Sequence, residues 1–562
     1  MRILIGRRYW RSKGNSELKE NNKEKGSHKI LLSAFFVAWG KNMKKKKVIM
    51  IIEWFAILAL VVTAVAAGKH LKDRTEEVSK MISYEGSKLV LYDGPKSLKD
   101  ATAEDLVSAS EKERNFALLH CTDTQVKVDG YDCYVYDTNV NNSREWHADY
   151  LPPQSRTPIT YFDFEGVARI VVSVPDMDLK SVKISPLSYD IKPEVDTTAK
   201  TVSFTITKPD NYTLTFNDSP DRALHIFANS IDPNAPTKSS DNLKYIGPGE
   251  WNIENIVLED NQTLYLAGGA VVHGIINSNY AKNVTVEGRG ILDGSGFDGW
   301  MGKTAYIPLK FDNCDSVTLK DIIVLNPNAW VCSAKSSTNG VIDGIRIISS
   351  RPNGDGITLQ SCTNYKVSNC FVRSWDDSLV IKNYEGSSSD ISFKNMQLWT
   401  DLAQSMEIGY ETNKGKQQDV SISGISFEDI TVLNNFHKPV ISVHNADDAT
   451  IKDVTFKNIT VENAQMGSGD GDEMPYLIDL HIPKTSNWTS TKERGQIDGV
   501  TIDNVKVLSG KFSPSRIEGF DDTHKIKNVS ISNLEILGEK ITSLDQGKFQ
   551  VDPDTTENIT IK

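Results

Sequence analysis

From Val284 to the C-terminus one short pattern keeps returning: apolar, polar, apolar, polar, then Asn, Asp or Gly, then apolar. It reads Val317-Thr-Leu-Lys-Asp-Ile, Tyr365-Lys-Val-Ser-Asn-Cys, Ile391-Ser-Phe-Lys-Asn-Met, Ile425-Ser-Phe-Glu-Asp-Ile and Val454-Thr-Phe-Lys-Asn-Ile. Val500-Thr-Ile-Asp-Asn-Val and Val529-Ser-Ile-Ser-Asn-Leu continue it, and Val284-Thr-Val-Glu-Gly and Gly340-Val-Ile-Asp-Gly-Ile are looser copies. Counted on to Ile559-Thr-Ile, successive copies start 33, 23, 25, 26, 34, 29, 46, 29 and 30 residues apart. Strand-type alternation with a turn residue at a fixed place and a period in the twenties indicates a solenoid with one coil per repeat. Each coil leaves its edges unpaired until a neighbour stacks on it, so many copies are needed. The Asn/Asp/Gly position suits a residue in the left-handed region, where the chain bends from one face to the next. Val, Ile, Thr and Phe dominate and no 3.6-residue stripe persists, which excludes a helical array. The expected fold is all-β: a right-handed parallel β-helix over residues 240–562. Spacings above about 25 imply loops inserted between strands, which would wall a groove.

Ahead of the repeat the pattern is different. Residues 131–235 hold short alternating runs such as Ile170–Val174, Val182–Ile184, Val202–Ile206 and Tyr212–Phe216, separated by Pro, Asp and Asn turns. These predict a small antiparallel β-sandwich. Residues 69–130 read as a polar lead-in with a weak helical stretch near Ala103–Leu119. Residues 1–68 form a basic N-terminus and a targeting segment. Lys44–Lys47 precede an apolar run, Val48–Ala67, that ends in Ala64-Val65-Ala66. That is the layout of a secretory signal, and the run is also long enough to serve as an uncleaved anchor. Met43 opens a normal-looking signal, so the expected start lies there. The lysines before the run place the rest of the chain outside the membrane, secreted or anchored through residues 48–67.

Charge narrows the partners. The 562-residue chain carries a net −11, yet residues 1–47 hold 14 Lys/Arg against 3 Asp/Glu, so the remainder sums to −22. A phosphate backbone selects for a basic surface, so nucleic acid is excluded as the expected partner. Among the six cysteines, Cys121 and Cys133 are close enough in sequence to pair in an exported protein. The others lie in the repeat and read equally well as small buried apolar residues. No Cys or His spacing suggests a metal site.

Three aspartates stand where chemistry is feasible. Asp355 in Arg351-Pro-Asn-Gly-Asp-Gly-Ile precedes Asp376 and Asp377 in Arg373-Ser-Trp-Asp-Asp-Ser by 21 and 22 residues. One coil of that length sets the two segments about 4.8 Å apart. Like charges at such range raise at least one pKa, as a general acid requires, while another carboxylate stays ionised to activate water. Solenoid turns are rich in Asp for backbone reasons, and Asp447-Asp448 shows that the dipeptide alone is weak. Candidates for substrate contact are Trp330, Trp375, Trp399 and Tyr410 with Asn353, Lys382, Gln404, Glu407, His444 and Asn445. For each aromatic, a cap on the solenoid core is an equal reading.

These motifs resemble the Asn-Thr-Asp-Gly-Ile and Asp-Asp signatures of glycoside hydrolase family 28, the polygalacturonases, in the same order and at similar spacing. Asn326-Pro-Asn-Ala-Trp330 resembles that family's Asn-Ser-Pro-x-Trp/Phe element, and a sandwich before a β-helix is similar to family 49, the dextranases and isopullulanase. The resemblance implies Asp376 as general acid, Asp355 and Asp377 as the pair that positions water, inversion at the anomeric carbon, and no metal or cofactor. Two departures matter. Gln404 stands where the family's Gly-His-Gly carries histidine. The later Arg-x-Lys that grips a uronate carboxylate has no counterpart in Pro439-Val-Ile-Ser-Val-His444. A bidentate arginine is the favoured partner of a carboxylate, so these departures, with acidic Glu407 close by, lean towards a neutral sugar. The expected function is an exported, monomeric, inverting hydrolase of a polysaccharide, pectin-related or neutral. The alternatives are a β-helix lyase or epimerase, for which the aspartates would bind Ca²⁺, and a non-catalytic glycan-binding surface solenoid.

Overall fold

The computed structural model describes residues 79–84, 86–95, 98, 118–141, 155–220, 222–297, 304–465 and 476–562. The targeting segment lies outside them, as does the expected helical stretch near Ala103–Leu119 apart from Leu118 and Leu119, the latter opening a strand. Among the described residues no helix is long and apolar enough to cross a membrane.

The solenoid is a 29-stranded, almost wholly parallel sheet wound on itself, running from Leu243–Ile246 to Thr556–Ile561. Its strands fall into three columns. The repeat forms the first: Thr363–Ser368, Ser388–Lys394, Ser421–Asn435 and Thr450–Val461 pair in register, Tyr365 with Ile391, Ile425 and Val454. Phe393, Phe427 and Phe456 stack inside it with centroids 4.9 Å apart at each step. The second column holds Ile323–Leu325, Arg346–Ile348, Phe371–Ser374 and Gln397–Thr400. The third holds Cys332–Lys335, Ile357–Gln360, Leu379–Lys382, Met406–Ile408, Ile441–His444 and Ile478–His481.

The turn between the first and second columns behaves as its residue types require. Asp321, Asn369, Asn395, Asp429, Asn458, Asn504 and Asn533 all adopt φ between 53° and 62°, and Gly344 takes φ 67°. Asn and Asp tolerate that region because a short polar side chain finds a local partner. Here the partner is the rung below: Asn395 Nδ2 donates to Asn369 Oδ1 at 2.7 Å, and Asn369 Nδ2 to Asp343 Oδ1 at 2.6 Å. Asn504 Nδ2 likewise donates to Asn458 Oδ1 at 2.9 Å.

The sandwich is larger than the sequence pattern indicates. Strands Ser79–Tyr84, Ser87–Tyr92, Leu119–His120 and Gln125–Val128, expected to be lead-in, belong to its two sheets of eight and five strands. They are only two to six residues long, too short for a periodicity reading to mark. Cys121 and Cys133 are both free rather than paired. Cys133 Sγ lies 3.0 Å from Thr160 Oγ1, whereas Cys121 Sγ donates to Asp123 at 3.1 Å, so each thiol has its own partner. Burial pushes both thiols up to about 12, where they stay protonated.

The sandwich covers the outer face of the second column. Ile291, Ile323, Leu325, Ile348, Phe371, Trp399 and Leu433 share one buried cluster with Tyr136, Ile159, Tyr161 and Phe227. Buried Arg373 crosses the contact: its Nε donates to Asp401 at 3.1 Å, and its Nη1 lies 3.3 Å from His225 Nε2. Arg289 reaches Asp163 at 3.1 Å in the same way.

Candidate active site

The site lies in the turn between the second and third columns. Backbone hydrogen bonds set successive coils in step there: Val331 N donates to Asp355 O, Gly356 N to Asp377 O, and Ser378 N to Gln404 O, at 2.8–2.9 Å. Trp330, Asp355, Asp377 and Gln404, each one residue before a matched position, therefore occupy one place on four consecutive rungs. The glycines make this approach possible. A Cβ on Gly356 would overlap the Ser378 carbonyl and Val372, and one on Gly354 would lie 2.7 Å from the Arg351 carbonyl. Asn353 takes φ 54°, which turns its N–H toward Asp376.

The three aspartates differ in their surroundings. Asp355 is 2% exposed and Asp377 8%, while Asp376 is half-buried. Asp376 accepts hydrogen bonds from Asn353 N at 3.1 Å and from Asp377 N at 3.0 Å. Asp377 accepts from Gln404 N at 3.1 Å. Asp355 faces Lys382, whose Nζ lies 3.6 Å from its Oδ2. Burial, with the charges of Asp376 and Glu407, pushes Asp377 up to about 8. Burial also raises Asp355, with Asp376, Asp377 and Glu411 adding to it and Lys382 opposing. The cluster therefore holds a proton at neutral pH and offers it beside a reachable carboxylate.

Lys382 sits in a closed polar box. Its Nζ is 3.3 Å from Glu411 Oε2 and 5.2 Å from the centre of the Trp330 ring, and Tyr384 OH donates to Glu411 Oε1 at 3.2 Å. Glu411 and Tyr384 escaped the sequence reading. Both follow a third-column strand at its outgoing end, in loops too irregular for a repeat to mark.

Glu407 and His444 are placed together, and both side chains are fully buried. His444 Nδ1 lies 2.9 Å from Glu407 Oε1 and its Nε2 3.0 Å from Asp479 Oδ2. Ser442 Oγ donates to Glu407, and Arg516 donates to Asp479 at 2.8 and 2.7 Å. Burial works against an imidazolium, but Glu407 and Asp479 hold His444 up at about 10. Asp479 is held well below the usual carboxylate range, since His444 and Arg516 outweigh its burial. Tyr410 stacks on His444 with centroids 4.3 Å apart and stays half-exposed. Thus Trp330, Asn353, Asp376, Tyr384 and Tyr410 form the accessible surface, above a buried floor of Asp355, Asp377, Lys382, Gln404, Glu407, Glu411 and His444.

Trp375 and Trp399 lie elsewhere. Trp375 is 0% and Trp399 3% exposed, and Trp399 meets His225 of the sandwich edge-on at 5.8 Å, so both belong to packing. Asn445 is buried too, and its Nδ2 donates to Ala449 O at 2.7 Å. Asp447 is also structural: its carboxylate accepts from Thr412 N, Asn413 N, Ser490 N, Thr491 N and Thr491 Oγ1. Among the described residues no cluster of three or more His, Cys, Asp or Glu side chains is arranged to hold a metal ion.

Comparison with known proteins bears on family and fold. A probable polygalacturonase of Vitis vinifera is 23% identical over 215 residues, 35% of this chain and 42% of that one. A polygalacturonase of Brassica napus is 26% identical over 229 residues, 32% of this chain and 57% of that one. The chain spans about half the length of the curated relatives it matches. Among solved structures, Dex49A from Penicillium minioluteum superposes with a TM-score of 0.61 at 15% identity, over 86% of this chain and all of that one, a likeness of fold. The family model described as glycosyl hydrolases family 28 matches residues 254–548, more than half of the sequence and every residue of the aspartate site, and the chain belongs to that family.

Proposed function

We propose that the chain is an inverting glycoside hydrolase acting on a polysaccharide outside the cell as a monomer, with Asp376 as general acid. The observation that carries this reading is the division among the aspartates: two are buried on adjacent rungs, and the third is reachable between Asn353 and Asp377. In the reaction the oxygen of water bonds to the anomeric carbon as the glycosidic C–O bond breaks. Asp376 gives its proton to the departing oxygen, and the proton of water passes to Asp355, with Asp377 helping to hold that water. Half-exposed Trp330, Tyr384 and Tyr410 offer ring faces on which a pyranose stacks.

A neutral sugar, or a neutral side chain of a pectic polymer, fits better than a linear polyuronate. Where the family's uronate-binding Arg-x-Lys is expected, Ser442 and His444 are both bonded to Glu407. Arg516, two rungs on, is committed to Asp479. A uronate here would meet a floor whose described cations are already matched by carboxylates. Export rests on the basic-then-apolar stretch at residues 44–67.

The test is reducing-end release from polygalacturonate, rhamnogalacturonan, dextran and pullulan, with and without chelator. Chelator-resistant release with inverted configuration is expected. Unsaturated products that vanish with chelator would replace this reading with a calcium-dependent lyase. Glycan binding without turnover would replace it with an adhesive solenoid.

A further inference from the structure

We propose that Lys382 is a positioning residue for the reaction: its ammonium, tethered by Glu411, fixes the Asp355 carboxylate as the group that activates water. This rests on the hydrolase reading above.

The geometry is specific. Lys382 is the last residue of Leu379–Lys382 and pairs in register with Gln360, the last of Ile357–Gln360. A lysine at this place, five residues past Asp377, reaches back along the groove toward the turn rather than out to water. Its side chain is 9% exposed, and those of Asp355 and Glu411 are 3% and 8%. Nζ lies between the two carboxylates, 3.6 Å from Asp355 and 3.3 Å from Glu411. Trp330 covers it on one side at 5.2 Å, and Tyr384 packs edge-on to that tryptophan at 6.2 Å. A buried ammonium so enclosed is not free to follow a sugar carboxylate, and removing it would leave carboxylates uncompensated.

The titratable groups acting on Lys382 are Glu411, Asp355, Asp377 and Tyr384. Those acting on Asp355 are Lys382, Asp376, Asp377 and Glu411, of which Lys382 alone favours ionisation. Lys382 also opposes the rise of Asp377, but the ion pairs it makes are with Asp355 and Glu411. One lysine thus breaks the symmetry of a three-carboxylate cluster. Glu411 holds the lysine at the Asp355 end, and Tyr384 OH holds Glu411.

The test uses the full chain with Lys382→Met, Lys382→Arg, Glu411→Gln and the double variant Lys382→Met/Glu411→Gln. On a glycan that the wild type cleaves, Lys382→Met should lower kcat about 100-fold with KM changed less than about threefold. The acid limb of kcat/KM should move to higher pH, because Asp355 becomes harder to ionise. Lys382→Arg should return the limb toward its original position, and Glu411→Gln should have a smaller effect. A rise in KM with an unmoved limb overturns the proposal and makes Lys382 a substrate contact.

A second arm needs no substrate. Without Lys382, Asp355 is a buried carboxylate raised further above its unfolded value, so its cost to stability grows as pH rises. The Tm of Lys382→Met should run parallel to the wild type at acid pH and fall below it at the higher pH where the wild type ionises Asp355 beside the ammonium. The double variant, which removes both charges of the pair, should recover part of that deficit. Curves that stay parallel up to alkaline pH overturn the proposal. If the wild type cleaves no glycan, the hydrolase reading and the role of Lys382 in that reaction fail together, whereas the Tm curves still decide whether Lys382 governs Asp355.

Discussion

Two of the three Asp-Asp pairs in the sequence lie at opposite ends of strands in the same column, and they do opposite things. Asp376-Asp377 lies just before Leu379–Lys382, and Asp447-Asp448 just after Ile441–His444. In each pair one carboxylate is buried. Asp447 is surrounded by five donors from two loops, so its charge is fully met and it pins those loops to the solenoid. Asp377 has the Gln404 N–H and then two carboxylates as neighbours, so burial drives it to keep a proton. A dipeptide does not set the role. What sets it is the number of donors around the buried member, and whether a coil of near-minimal length brings other acids beside it.

The largest expected effect comes from breaking this contrast at its reactive end. Asp376→Asn should cost about 10²–10⁴ in kcat, the usual weight of a general acid. Its Tm should change little, because the side chain is half-buried and the amide oxygen of asparagine keeps one of the two backbone hydrogen bonds that the carboxylate accepts. Substantial residual turnover would move the acid elsewhere. Next comes Asp447→Ala, which strands several buried N–H groups at about 1–3 kcal/mol each. A drop in unfolding free energy of at least ~3 kcal/mol is expected by denaturant titration, with the specific activity of the folded fraction retained. A stable but inactive variant would join the two pairs in one function.

A third effect has a definite sign. The folded pKa of Asp377, pushed up to about 8, lies above the unfolded value near 3.9, so the folded state binds the extra proton. Stability from this group therefore declines as pH rises between those values, at up to about 1.4 kcal/mol per pH unit, and the decline ends above about pH 8. Asp377→Asn should flatten that slope in a Tm-against-pH series, whereas Asp447→Ala should lower the whole curve. The smallest effect is a control on the turns: Asn458→Ala should cost about 1–2 kcal/mol through its φ of 56°, and Asn458→Gly less.

These turns were also the most legible part of the sequence. The residue singled out in each repeat, from Asp321 to Asn533, sits at positive φ because only a few residue types tolerate that backbone. The coil spacing between Asp355 and Asp376 was readable for a similar reason: no loop intervenes, so chain length translates directly into height along the axis. Lys382 was half legible. Its strand parity is plain, but its direction depends on Glu411, which arrives from the loop of the following coil, and no periodicity carries that information. His444 and Glu407 look like groove residues by parity alone. Their burial follows from Asp479 and Arg516, one and two rungs beyond His444, which complete the charge pairing and let the whole set leave water. The early sandwich strands were missed because they are only two to six residues long, too short for an alternation to stand out.

The contact between sandwich and solenoid carries one more consequence. Without the sandwich, Ile291, Ile323, Leu325, Ile348, Phe371, Trp399 and Leu433 would become a continuous oily stripe up the side of the coil. Arg373, three residues ahead of Asp376, would lose its contacts with His225 and Thr157. A chain trimmed to its repeat would be prone to self-association, and its reactive turn would lose a brace. The sandwich works as a splint, and a solenoid transplanted without it would lose that support.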